Sequence, residues 1–173
     1  MWFPQRDPAG VAAASPSTVT ISRLELVHEF TFSAELADSV PVGPGPFGTR
    51  RIREVLRGEV TGERIHGSVG SGGGDWVLLG PDGWGRLDVR LTIHTHDGAH
   101  IYVQYFGVIE YTQAALDANA GVRASDYGDH YFRIAPRLET GDERYDWVNR
   151  TLFVADGRLH PGPVVEYRVH RVT

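Results

Sequence analysis

Apolar and polar residues alternate with a period of two over most of this chain, and the clearest stretch is residues 87–111, LDVRLTIHTHDGAHIYVQYFGVIEY. Two alternating runs flank Asp97-Gly98, a dipeptide suited to a two-residue hairpin turn in which both positions take a positive φ. That turn sets His96 opposite Ala99 and Arg90 opposite Tyr105. Counting in twos, Asp88, Arg90, Thr92 and His94 share a face with Ile101, Val103, Tyr105 and Gly107. Leu87, Val89, Leu91 and Ile93 fall on the other face with Tyr102, Gln104 and Phe106. One face is thus apolar, and the other carries groups capable of chemistry.

The same alternation begins at Ile21, where Leu24, Leu26, His28, Phe30, Phe32 and Ala34 lie on one side of a long first strand. Residues 40–48, VPVGPGPFG, are punctuated too often by Pro and Gly for regular structure. Further strands are expected near 49–68, 75–79, 87–96, 99–111, 130–138, 147–154 and 164–172, which makes eight. One short helix fits 112–119, followed by a Gly-containing loop to Gly128. The pattern predicts an all-β protein: a single antiparallel β-barrel of about eight strands around a central cavity. A two-sheet sandwich with a dry core is the competing architecture. Residues 1–20, rich in Pro, Ala and Ser, read as a flexible N-terminal arm before a barrel domain of 21–173. Trp2 and Phe3 would let that arm dock as a lid.

A chain of 173 residues is long enough to bury a core without staples. It contains no Cys, which removes disulfide frameworks, thiolate ligation and thiol catalysis together. A net charge of -5 with no basic cluster argues against nucleic acid as a partner. No apolar run is long enough for a membrane span or a secretory leader, so the expected location is the cytoplasm.

The candidate chemistry sits on strand faces. Asp88 and Arg90, two apart, form a carboxylate–guanidinium pair, and Tyr131 and Arg133 repeat the geometry. These four are the catalytic candidates if they converge on a hollow interior; the competing reading is a structural ion pair, with Arg133 satisfying a carboxylate such as Glu139. Candidates for holding a substrate are Arg50, Asp75, Trp76, Tyr105, Glu139, Trp147 and Asn149. Asp75 follows the glycine run 70–74, where it either caps a turn or acts as a base at the barrel rim. That run lacks a P-loop ending and leads into no helix, so no phosphate cradle is implied. His94 and His96 offer two imidazoles, but His100 is expected to point away and no third ligand is in place. Neither a metal nor a cofactor is assigned.

Several segments in order, GPFGTRRI (45–52), GGGDWVLLGPDG (72–83), LDVRLTIHTHDGAHIYVQYFGV (87–108), YFRIAPRLET (131–140) and YDWVNRTLFVADG (145–157), carry the motifs G-x-R, G-G-x-D-W, D-G-x-x-I-Y-V, Y-F-R and Y-x-W-x-N. With these the chain resembles the bacterial family catalogued as domain of unknown function 3237, from about residue 22 onward. The resemblance implies a lipocalin-like or calycin-like barrel with a central pocket. Arg57-Gly58 stands where it leads one to expect Gly-Gly.

The function expected from these readings is a cofactor-independent lyase, isomerase or cyclase. It would act on a small, partly apolar oxygenated molecule inside the barrel, by proton transfer with Arg and Tyr stabilising a developing oxyanion. A non-catalytic carrier with the same pocket is the alternative, and a solid structural domain a third. The small molecule is the expected partner, and association into a homodimer is left open.

Overall fold

The computed structural model describes residues 23–173, so the expected arm of 1–20 with its lid role lies outside the described residues. Alternation becomes strand throughout: β1 (Leu26–Leu36), β2 (Val40–Gly45), β3 (Gly48–Gly62), β4 (Gly67–Val69), β5 (Gly73–Asp75), β6 (Leu78–Leu79), β7 (Trp84–Thr95), β8 (His100–Glu110), β9 (Phe132–Glu139), β10 (Phe153–His160) and β11 (Val164–Val172). A short helix α1 (Gln113–Asn119) follows β8, and a 3₁₀ helix (Glu143–Arg150) precedes β10.

Eight strands close into an antiparallel barrel in the order β1-β11-β10-β9-β8-β7-β4-β3, and the β1–β3 pairing seals the ring. β5 and β6 fill the same gap between β3 and β7 further along, while β2 is a flap paired to β3 alone. Inward side chains such as Phe32, Val89, Val103, Phe132 and Tyr167 are almost wholly buried. Phe32, Tyr105, Phe132 and Tyr167 pack ring to ring through the centre. One end of the barrel is filled by Ile65, Ile93 and Ile101, with Tyr145 and Val148 of the 3₁₀ helix also buried. The other end, next to α1, is hollow.

Several expectations are corrected. The hairpin between β7 and β8 is one residue out of the expected register: His94 pairs with His100 and Arg90 with Gln104, while Tyr105 pairs with Val89. No residue other than glycine has a positive φ among the described residues, so Asp97 does not take the left-handed geometry the two-residue turn requires. A three-residue loop forms instead, in which Gly98 alone is left-handed (φ +88). Thr95 stabilises it, accepting a hydrogen bond from the Ala99 N–H (2.8 Å) while donating to the Asp97 carboxylate (2.6 Å). A slip of one residue moves every side chain of a strand to the opposite face. Tyr105, Ile101 and Val103 therefore join Leu87, Val89, Leu91 and Ile93 inside, and Asp88, Arg90, Thr92 and His94 point outward with Tyr102, Gln104 and Phe106.

Residues 40–48 are not wholly irregular. Val40–Gly45 is a strand at the edge, where Pro41 and Pro44 leave no partner unsatisfied beyond β3, and a bulge between Pro41 and Gly43 absorbs the irregularity. The expected strand at 49–68 breaks at Gly62 into β3 and β4, and residues 147–150 belong to the 3₁₀ helix rather than to a strand. In β1 a bulge between His28 and Phe30 turns Glu29 inward. There Arg64 grips its carboxylate with two hydrogen bonds of 2.6 Å, and Arg171 approaches within 3.2 Å. These two guanidiniums offset the cost of burying the Glu29 charge.

Candidate functional site

The hollow end of the barrel encloses a cavity of about 480 Å³, within the range that holds a small organic molecule. Its wall is largely apolar, with Ala34, Leu36, Val77, Leu87 and Val89 among the lining residues. Polar groups enter at a few points. Arg53 on β3, Asp75 on β5, Val89 on β7 and Tyr105 on β8 are successive cross-strand partners, so they form one inward-facing row around the wall. Tyr167 and Tyr111 add two more hydroxyls, and Arg51 joins Arg53 on the same face of β3.

Asp75 is the chemically distinctive member of this row. It is only 9% exposed, and among the described residues it makes no ion pair. Its Oδ1 accepts one long hydrogen bond, 3.4 Å, from the backbone N–H of Asp88. Burial pushes its pKa up to about 7, against weaker opposing pulls from that backbone contact and from Arg53. Desolvation disfavours the charged form, and here the nearby cations do not offset it. A carboxyl poised near neutrality can give or take a proton with little cost in either direction. Burial likewise raises the phenol pKa values of Tyr105, Tyr167 and Tyr111, and the negative charge of Asp75 adds to the effect. These hydroxyls therefore stay protonated and available as donors.

The glycines before Asp75 make this placement possible. A Cβ at Gly73 would lie 2.4 Å from the Arg90 carbonyl oxygen, so the strand can pass this close to β7 only without side chains. Asp75 is thus part of the barrel wall rather than a turn cap or a group at the rim.

The four residues expected to be catalytic lie elsewhere. Asp88 and Arg90 pair with each other at 2.8 Å on the outer surface, and Arg90 leans over Trp76 with its guanidinium carbon 5.5 Å from the ring centroid. Tyr131 and Arg133 flank the inward Phe132 and so face outward; Tyr131 is about half exposed, and both border a shallow apolar groove on the outer sheet. The convergence of these four on the interior is overturned, and the cause is the parity of their strands. Nor does Arg133 satisfy Glu139: it donates to the Phe132 carbonyl (2.9 Å), and Glu139 pairs with Arg137. For Asp88→Asn and Arg90→Met, ligand affinity in the cavity is expected to stay within about threefold of wild type. Exposed pairs contribute roughly 0–1 kcal/mol, and calorimetric titration with a cavity-binding compound checks this.

Of the expected substrate contacts, the structure brings Asp75 and Tyr105 together at the cavity. Arg50 turns away and donates to the Trp76 carbonyl, and Trp76 lies on the outside. Trp147 and Asn149 sit at the opposite, filled end: Trp147 stacks beneath Arg64, and Asn149 exchanges two 2.9 Å hydrogen bonds with the backbone of Thr140. His94 meets His100 edge to face at 4.5 Å instead of diverging from it, while His96 stacks on His66. No group of three metal ligands forms among the described residues.

Sequence reasoning missed Arg51, Arg53, Tyr111 and Tyr167. Tyr167 had a signal, since Val165, Tyr167 and Val169 alternate inward along 164–172. Arg51 and Arg53 had an ambiguous one, because RRIR offers arginines at both parities.

Comparison with known proteins supports the fold and the extent of the similarity. Residues 24–172 match the family model described as "Protein of unknown function (DUF3237)". A UPF0311 protein of Rhodopseudomonas palustris is 35% identical over 149 residues, spanning 86% of this chain and 97% of that protein. The crystal structure of a Rhodopseudomonas palustris protein of unknown function superposes with a TM-score of 0.79 at 33% identity, covering 88% of this chain and all of the other. A β-barrel-like protein of Acinetobacter baumannii follows at 0.75 and 26%, covering 89% and 99%. An enzyme from Penicillium herquei shares the fold at 0.60 and 22%, covering 91% and 98%. No helix among the described residues is long and apolar enough to cross a membrane.

Proposed function

The chain belongs to the DUF3237 family of proteins of unknown function, and we propose from its own cavity that it is a cofactor-independent enzyme of the lyase, isomerase or cyclase type. It binds a small, partly apolar oxygenated molecule inside the barrel and moves a proton with Asp75. The single observation that carries this reading is a nearly buried carboxyl with no ionic partner among the described residues, facing an apolar cavity. A fold gains no stability from such a group, and its retention is best understood through use.

In the proposed reaction the ionised Asp75 takes a proton from carbon next to a carbonyl. The phenol of Tyr105 or Tyr167 donates to the oxygen where negative charge develops. The apolar walls exclude water, which strengthens both interactions. The neutral carboxyl then returns the proton at another atom, giving isomerisation or ring closure, or assists departure of a leaving group. A barrel of this fold in a protein described as an enzyme is compatible with this use.

The test is solvent exchange. Substituted cyclic ketones and enones of cavity size are incubated with protein in D₂O, and deuterium at the carbon next to the carbonyl is followed by mass spectrometry. Wild type is expected to accelerate incorporation, and Asp75→Asn to slow it by about 10²–10⁴-fold, the usual contribution of a positioned base. Compounds that bind wild type tightly yet exchange no faster than with Asp75→Asn would support the carrier reading instead.

A further inference from the structure

Two cations at the cavity are without an ion-pair partner among the described residues. Arg51 and Arg53 stand two apart on β3, leave the strand on one face, and both line the cavity. Among the described residues neither takes part in an ion pair or donates a side-chain hydrogen bond. Elsewhere in the barrel Arg57, Arg64, Arg86, Arg90, Arg158 and Arg168 each have a carboxylate partner, while Arg50 and Arg133 donate to backbone carbonyls. The charges of both guanidiniums bear on Tyr111, and that of Arg53 also on Asp75, its cross-strand partner, so both act on the polar side of the cavity. Arg53 is the more enclosed and Arg51 the more exposed, which places the pair from the wall outward to the mouth.

We propose that Arg51 and Arg53 form the anion-recognition pair of the site, so that the substrate class is an amphipathic carboxylic acid. Its carboxylate lies between the two guanidiniums at the mouth and its apolar body lies in the barrel. The fork of an arginine matches the two oxygens of a carboxylate, and two forks on one face fix its direction as well as its charge. The apolar inner wall of Val77, Leu87 and Val89 accepts no charge, and ionised Asp75 repels one, so the anion is confined to the arginine side. This orients the ligand with its carboxylate outward and its neutral, reacting part toward Asp75; that last point alone rests on the function proposed above.

The probes are 2-naphthoate and its neutral counterpart 2-naphthamide, titrated calorimetrically into the full-length protein at pH 8. Wild type is expected to prefer the acid by about tenfold, because hydrogen bonds to a charged group are roughly twice as strong as neutral ones. In Arg51→Met, Arg53→Met and the double variant the preference should shrink stepwise to none while amide affinity holds within about threefold. Raising salt should weaken the acid and spare the amide. This salt comparison on wild type stands even if the double variant does not fold. Equal binding of acid and amide by wild type, binding of neither, or a preference surviving in the variants would each overturn the proposal. Asp75-dependent exchange into neutral ketones would remain intact in all three cases, so the two readings fail separately.

Discussion

Asp75→Asn is expected to make the protein more stable at pH 8 while removing turnover. The carboxyl of Asp75 has its pKa raised from 3.8 to about 7 in the folded state, so between those values the folded protein holds a proton that the unfolded chain has lost. Stability therefore falls as pH rises through this window, the penalty being absent below the unfolded value and complete above about 7. At about 1.4 kcal/mol per unit, the ionised group costs up to about 4 kcal/mol. Asparagine keeps the shape and carries no charge, so at pH 8 the variant should gain roughly 2 kcal/mol, or about 6 °C in Tm for a chain of this size. Near pH 4 the two proteins should converge. Thermal unfolding across pH 4–9 checks the sign, and a variant less stable than wild type at pH 8 would mean that the ionised carboxylate is held by a partner. The exchange of stability for chemistry is the pattern expected of a functional group kept in an unfavourable place.

The second large effect is structural. Gly58→Ala is expected to destabilise the barrel by about 3 kcal/mol or more, beyond the common range for overpacking, because the atom it would meet is backbone. A Cβ at Gly58 would stand 1.9 Å from the carbonyl oxygen of Ser33 and 2.8 Å from its carbonyl carbon. This is the seam at which β3 meets β1 and the ring closes. Glu59→Ala, one residue along and exposed, should stay within about 0.5 kcal/mol, as surface substitutions usually do. Urea unfolding of both variants separates a closed seam from a loose one; a loss below about 1 kcal/mol for Gly58→Ala would contradict closure there. Gly58 also accounts for half of the motif departure at Arg57-Gly58: the position that cannot bear a side chain keeps its glycine. Arg57, whose side chain is exposed and paired with Glu35, has room for one.

The barrel was legible because alternation recurs over long strands joined by short turns, and it grouped Phe30, Phe32 and Ala34, and separately Leu87, Val89, Leu91 and Ile93, on single faces that the structure buries. What failed was parity across a turn. Asp97-Gly98 looks like a two-residue turn, yet the Thr95 hydroxyl bonding to both Asp97 and Ala99 favours one residue more. That single residue sent Asp88 and Arg90 to the surface. The same ambiguity led to Arg50 instead of Arg51 and Arg53, since consecutive arginines give no apolar face to count from. Tyr131 and Arg133 bracket Phe132, and there the apolar residue marked the inside. Trp147 and Asn149 were misplaced because a 3₁₀ turn with aromatic and polar residues imitates a short strand. Asp75 could be singled out from its glycine run, but its burial depended on β5 packing between β3 and β7, a pairing of only a few residues with little local signature.

The central claim is that Asp75 is a buried, ionically unpartnered carboxyl inside a hollow barrel. Its most direct test is a ¹³C NMR titration of the side-chain carboxyl carbon, assigned by its disappearance in Asp75→Asn. A midpoint near 7, far above the ordinary aspartate value of about 4, is the expected result. A midpoint at or below about 4 would place this carboxylate in water or against a cation, and the proposed chemistry would have no base.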